Sequence, residues 1–285
     1  MSLGARRVQQ LAQLGRFAQS GGMDDGIGRT QLERDEMDPA RAAALAAVLG
    51  QVFDPAAPLP PFAHQVYFWQ ALPAPLLGRD GHPARGGFIP DLGLPRRMWA
   101  GGRLEFLAPL MAGRVAEKTT VIEAVTRKAG RSGPLGFVTL RHEIRQGGAH
   151  CLTEWQDLVY RADPQPGTPP PEAPQAPAGG EVMRRRFSTV DLFRYSALTF
   201  NGHRIHYDRD YAREVEGYGG LVVHGPLLAQ WLMLIAAKRL GRLGRFTFRG
   251  VSAALDFEEL RFCQDGALLW VAGPDGRLCL SAEAG

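Results

Sequence analysis

The chain has 285 residues, 45% of them apolar, which suits two domains with real cores and excludes a disordered polymer. Its formal charge of +4 is mild and scattered, so it helps attract an anionic small molecule but marks no nucleic-acid stripe. Cys151, Cys263 and Cys279 include no Cys-x-x-Cys pair, which argues against a disulfide framework or zinc site, and no apolar run is long enough to span a bilayer.

Arg6, Arg7 and Arg16 precede the first acid, Asp24, with Val8, Leu11, Leu14 and Phe17 interspersed. Such a start resembles a mitochondrial transit peptide. Lys occurs only at 118, 128 and 238 among many Arg, Ala, Gly and Pro. That bias reads as GC-rich codon usage, so a bacterial cytoplasmic protein with an N-terminal surface helix is expected, ahead of a mitochondrial-matrix one. Asp38-Pro39 then signals a helix, with Asp as cap and Pro in the first turn, running to residue 49 before Gly50 stops it. A second short helix is expected over 62–72. Residues 73–102 form a Gly/Pro-rich passage too long for an ordinary connection, and therefore functional or disordered.

From Gly102 the pattern turns to strands, expected over 103–110, 115–125, 136–145 and 152–161. Residues 163–180 carry Pro at 164, 166, 169, 170, 171, 174 and 177 and read as an extended linker. It separates an N-terminal domain, 1–162, from a C-terminal one, 181–285. The second half repeats the plan: a strand over 182–188, helical or irregular segments over 190–217, and a strong helix from Pro226 to about Leu240. Strands near 245–252, 255–262, 268–272 and 278–282 follow. Gly-Arg-x-x-Phe opens both meanders, at Gly102 to Phe106 and Gly244 to Phe248, which supports duplication. The helix after Pro226 is apolar nearly all round, as one enclosed by a sheet must be. The expected fold is α+β, a double hot-dog of two antiparallel sheets, each wrapped round a central helix.

The chemistry concentrates in Thr199-Phe200-Asn201-Gly202-His203-Arg204-Ile205-His206 and Val223-His224-Gly225-Pro226. His206 is the expected general base, because an imidazole titrates near neutrality. Asn201 cannot titrate but can orient a water, although Asn-Gly is also an ordinary turn pair. Gly225 opens the long helix, where free N–H groups and the helix dipole suit an oxyanion. His203, Arg204 and His224 are candidate substrate-binding groups. Arg96-Arg97 are candidates for coenzyme A phosphates. P-loop, dinucleotide, zincin and serine-elbow motifs are absent from the sequence.

Residues 194–208, Arg-Tyr-Ser-Ala-Leu-Thr-Phe-Asn-Gly-His-Arg-Ile-His-Tyr-Asp, resemble the signature of the 3-methylfumaryl-CoA (mesaconyl-CoA) hydratase family. So do Gly81-His82-Pro83-Ala84-Arg85-Gly86-Gly87-Phe88, the run from Pro95 through Phe106, and Gly130-Arg131-Ser132-Gly133-Pro134-Leu135. The likeness spans roughly residues 25 to 270 and implies a double hot-dog protein akin to MaoC-like hydratases and 3-hydroxyacyl-thioester dehydratases. It implies a reversible hydro-lyase acting on an α,β-unsaturated acyl-CoA, most closely a short branched one. The broader Asp-x-Asn-Pro-aliphatic-His pattern departs here: Asn201 holds the Asp position, His203-Arg204 the Asn-Pro positions, and His206 the His. The helix-start glycine of that pattern falls on Gly225. In Leu59-Pro60-Pro61-Phe62-Ala63-His64 the Trp of the family's Trp-His is missing. The first half is expected to have lost the His motif and to serve as a scaffold, with coenzyme A between the halves. The substrate's own coenzyme A is the implied ligand, with no metal or redox cofactor, no nucleic acid and no membrane. A monomer and a homodimer are both compatible with the sequence. Rival readings are a thioesterase, disfavoured by the lack of Asp or Glu in the long helix, a dehydratase of carrier-bound chains, and a non-catalytic acyl-CoA binder.

Overall fold

A computed structural model describes residues 25–130, 133–164 and 172–285. The expected N-terminal surface helix, and linker residues 165–171, lie outside the described residues. Strand β1, Thr30–Asp35, leads into helix α1, Pro39–Leu49, and then β2, Arg96–Phe106, β3, Ala116–Gly130, β4, Gly133–Gln146, and β5, Ala149–Arg161. The second half opens the same way, with β6, Glu181–Arg185, and α2, Thr189–Thr199. Helix α3, Gly225–Leu240, precedes β7, Arg245–Gly250, β8, Leu260–Asp265, β9, Leu268–Ala272, and β10, Leu278–Ala284.

All ten strands join one antiparallel sheet in the order β1-β3-β4-β5-β2-β7-β10-β9-β8-β6. The expected two sheets therefore run on as one, fused through β2 and β7. That seam explains the repeated Gly-Arg-x-x-Phe. The two copies pair antiparallel, with Gly102 opposite Phe248, and the Phe106 N–H donates to the Gly244 carbonyl at 2.8 Å. A Cβ at Gly102 would meet the Phe248 ring at 3.1 Å and the Trp155 carbonyl at 2.7 Å, so the glycine makes room for the other copy's phenylalanine.

Local chemistry accounts for the helix ends. Asp38 Oδ1 accepts the Ala40 N–H at 2.9 Å, and Gly50 closes α1 in the left-handed region at φ 62°. Ser188 and Asp191 cap α2 reciprocally, and Phe200 ends it at φ 52°. Helix α3 packs on β2, β7, β9 and β10 with Leu227, Leu228, Trp231, Leu232 and Met233 buried. Among the described residues it is the α-helix that packs broadly on the sheet. In the first half α1 is the sole α-helix among the described residues, and it packs against α2.

Two expected elements differ. Residues 62–72 hold a single 3₁₀ turn, Ala63–Val66, because Phe62 and Phe68 both adopt positive φ, 69° and 58°. Asp35 takes the Phe68 N–H at 2.9 Å and stabilises the break. The strand expected over 255–262 begins at Leu260 instead, since Leu255 donates its N–H to Glu258 and Asp256 accepts the Leu221 N–H. Both side chains divert the backbone from the ladder.

Candidate active site

Helix α2 ends at Phe200, and the chain turns at once. Asn201 Oδ1 accepts the His203 N–H at 3.0 Å, an Asx turn that leads into the 3₁₀ turn Arg204–His206. Asn201 is therefore a structural cap first, and its carbonyl oxygen is already engaged. His206 is buried, and its Nδ1 lies 2.8 Å from the Val222 carbonyl. A carbonyl only accepts, so Nδ1 carries the hydrogen and the lone pair sits on Nε2. Among the described residues no group engages Nε2. Burial, with a smaller contribution from His82, holds this imidazole down to about 4 against the opposing Val222 hydrogen bond. His206 is consequently neutral at physiological pH, the form a base requires.

Four imidazoles form a row. His82 lies 4.5 Å from His203 between ring centroids, His203 is 5.5 Å from His206, and His206 stacks on His224 at 3.6 Å. At one end Asp80 Oδ2 accepts His82 Nδ1–H at 3.1 Å; at the other, His224 Nε2 shares a 2.8 Å hydrogen bond with Ser196 Oγ. Burial is the main force keeping His82 at about 4, and it holds His203 and His224 further below the ordinary range. Each charged neighbour would penalise the next. His203 Nε2, His224 Nδ1 and the Tyr195 hydroxyl are buried with no hydrogen-bond partner. Buried polar atoms left unpaired call for a water, a ligand or a functional role to satisfy them.

His224 is fully buried beneath His206, so it supports that ring instead of offering a surface to substrate. It is also the residue preceding α3. The Gly225 N–H has no acceptor among the described residues, and a Cβ there would meet nothing within 4 Å. Open space thus adjoins an unpaired donor at the positive end of a 16-residue helix.

The long first-half passage supplies what sequence reasoning missed. Residues 77–83 make a tight hairpin, bridged at Leu77 and Pro83, that presses onto the Asn201–Arg204 turn. The Arg204 N–H donates to the Asp80 carbonyl at 2.9 Å. Gly81 sits at φ 85°, where a Cβ would stand 2.0 Å from the Gly202 carbonyl oxygen. Two glycines from opposite halves meet backbone to backbone, and this contact carries Asp80 and His82 into the row. The Gly-His-Pro of the hairpin was the available signal, without a reason for its place.

Arg96 overturns its expected role. It lies within β2, buried, with Nε 2.5 Å from Glu216 Oε2 and Nη2 3.1 Å from the Glu216 carbonyl, and so cannot meet a phosphate. Replacing Arg96 with Met leaves Glu216 as an unpaired buried charge. Denaturant unfolding is expected to show a loss of about 3–5 kcal/mol. Arg204 is likewise committed. Its guanidinium bonds Asp208 Oδ2 at 2.6 Å and packs 4.2 Å over Tyr211, beside a surface concavity lined also by Arg79 and Val215. Arg97 remains half-buried next to the row.

The first half keeps a histidine on its own 3₁₀ turn. His64 Nε2 is 2.9 Å from Glu154 Oε2, and Gln65 donates to both carboxylate oxygens. His64 and Glu154 are both buried, so the pair lies inside the first half.

The sequence pattern of the hydroxyacyl-thioester dehydratase type 2 family matches residues 62–256. The chain belongs to that family. It is 45% identical to mesaconyl-C(4)-CoA hydratase of Chloroflexus aurantiacus over 266 residues, 90% of this chain and 95% of that protein. It is 27% identical over 242 residues to the mitochondrial hydroxyacyl-thioester dehydratase type 2 of Schizosaccharomyces pombe, covering 75% of this chain and 80% of that protein. HtdX of Mycobacterium tuberculosis shares the fold at TM-score 0.65 and 18% identity, over 90% of this chain and 99% of that one. The chain is thus an enzyme of the hydratase–dehydratase kind with a double hot-dog fold. Among the described residues no helix is long and apolar enough to cross a membrane.

Proposed function

We propose that the chain adds water reversibly to the double bond of an acyl-CoA of the mesaconyl type, a short branched enoyl thioester, mesaconyl-C4-CoA foremost. The observation that carries this reading is His206, with Nδ1–H held by Val222 and Nε2 without a partner, on a ring that stacks on His224, the residue before the unpaired Gly225 N–H. A thioester carbonyl set against Gly225 would gather enolate charge as water attacks Cβ. A donor so placed contributes on the order of 3 kcal/mol to lowering the barrier. His206 Nε2 takes the proton from the attacking water, and the imidazolium so formed gives a proton back at Cα, so that one water is added overall. The 45% identity to a mesaconyl-C(4)-CoA hydratase supports this substrate class over longer chains. The chemistry needs no metal or redox cofactor. Asp80, His82 and His203 bring donor atoms within 4.8 Å of one another, yet Asp80 is already bonded to His82, and the field of Arg97 bears on both imidazoles. Thioester hydrolysis is disfavoured because the buried middle of α3 offers Gln230 where a carboxylate would be needed.

The test is a panel of mesaconyl-C4-, itaconyl-, crotonyl- and longer enoyl-CoA esters, followed by loss of the conjugated enoyl-thioester absorbance. Fastest turnover is expected on the mesaconyl ester, without release of free thiol. Preference for long chains, or thiol release at the same rate, would sink the reading.

A further inference from the structure

Three of the four imidazoles in the row are tied to the protein at a ring nitrogen. His82 Nδ1 is held by Asp80 Oδ2 at 3.1 Å, His206 Nδ1 by the Val222 carbonyl at 2.8 Å, and His224 Nε2 by Ser196 Oγ at 2.8 Å. His203 differs. It is 6% exposed, its Nε2 is buried without a partner, and among the described residues neither ring nitrogen makes a hydrogen bond. The residue is nevertheless fixed. Its backbone N–H goes to Asn201 Oδ1 at 3.0 Å, and the first-half hairpin sets the His82 ring 4.5 Å from its own. A buried imidazole held in place with both nitrogens unpaired is costly unless something outside the chain completes it.

The water added in hydration has the complementary need. It brings two hydrogens into a buried site, and His206 Nε2 takes only one of them. The other requires an acceptor, because a buried O–H left unpaired is costly. Asn201 Oδ1 already accepts the His203 N–H, and the Val222 carbonyl accepts His206 Nδ1–H. His224 closes one face of the His206 ring, stacked at 3.6 Å with 19° between planes, which leaves no room for a water between them. His203 instead stands edge-to-face to His206, at 5.5 Å and 84°. Two hydrogen bonds of about 2.9 Å through one oxygen bridge a gap of up to about 5.8 Å. Burial holds His203 well below the ordinary imidazole range, so one ring nitrogen keeps its lone pair at neutral pH. We propose that His203 holds the attacking water, accepting the hydrogen that His206 does not remove. The inference rests on the hydratase reading, for which it names the second partner of the water. The water oxygen bonds Cβ, one hydrogen passes through His206 Nε2 to Cα, and the other stays on the new hydroxyl. His203 takes no proton; it aims the oxygen.

His203→Phe keeps a flat ring, and the N–H that Asn201 holds belongs to the backbone, so the turn stays. With mesaconyl-C4-CoA, kcat is expected to fall about 10- to 100-fold, the cost of a misplaced reactant. Binding of succinyl-CoA, a saturated thioester that takes up no water, should stay within about twofold by titration calorimetry, because the oxyanion donor is untouched. His203→Gln, whose carbonyl oxygen accepts a hydrogen bond, should recover most of the lost rate. The deciding measurement combines His203→Phe with His206→Asn. Side chains that share one water act as a unit, so the double variant should be no more than about threefold slower than His206→Asn alone. Any of four results overturns the proposal: an unchanged kcat in His203→Phe, an equal loss of succinyl-CoA binding, effects that multiply in full in the double variant, or hydration lost to a chelator and restored by zinc, which would give the nitrogen to a metal. If His203→Phe does not fold, His203→Leu, which also lacks an acceptor, takes its place in the cycle. An unmodified protein that hydrates no enoyl-CoA of the panel would instead reject the hydratase reading.

Discussion

Replacing His206 with Asn is expected to lower kcat for hydration by about 10²- to 10⁴-fold, the usual contribution of a positioned general base. Asparagine keeps a donor for the Val222 carbonyl, so the turn should survive, but it has no titrating nitrogen. Thioester binding should persist, because the Gly225 N–H and the space beside it are untouched. Retained turnover in this variant would remove His206 from the mechanism. The pH profile offers an independent readout. Burial keeps the His206 imidazole at about 4, so the active, neutral form persists as pH falls through 6 and 5. The acid limb of kcat/KM should break near pH 4, not near the ordinary imidazole value of about 6.5. Stability moves with the same sign. Below about pH 6.5 the unfolded chain takes up protons that native His82 and His206, both near 4, refuse. Folding free energy is therefore lost as pH drops from 6.5 towards 4, and the melting temperature of the Asn variant should fall less steeply across that window.

Gly81→Ala is the second large effect, and it arises far from His206 in sequence. At φ 85° the added Cβ would stand 2.0 Å from the Gly202 carbonyl oxygen, backbone that cannot swing aside. The hairpin must lift, taking Asp80 and His82 with it and breaking the Arg204 N–H to Asp80 carbonyl bond. Displacement of an active-site element by about 1 Å commonly costs on the order of 10² in rate. We expect kcat/KM to fall by about that factor while circular dichroism stays near that of the parent. Gly86→Ala is the control: it shares a positive φ, 83°, in the same passage, but its Cβ would approach nothing closer than 3.9 Å. Equal rates for the two variants would mean that the hairpin does not shape the site.

The contrast between these two experiments shows what a linear chain discloses. Asp38-Pro39, Gly50 and the all-round apolar run after Pro226 act within a few residues, through caps, dihedrals and burial, and α1 and α3 fall where those signals lie. The helix class, the meanders and the duplicated Gly-Arg-x-x-Phe were legible for the same reason. His206 and Gly225 could be singled out because their chemistry is local: one imidazole and one helix start. The fusion of the sheets through Gly102 and Phe248, the burial of Arg96 on Glu216, and the arrival of Asp80 and His82 beside His203 had no such signal. They depend on which backbones can approach across more than a hundred residues, and on which of two adjacent arginines faces a carboxylate. Those are questions of strand register and excluded volume, and the assembled sheet alone answers them.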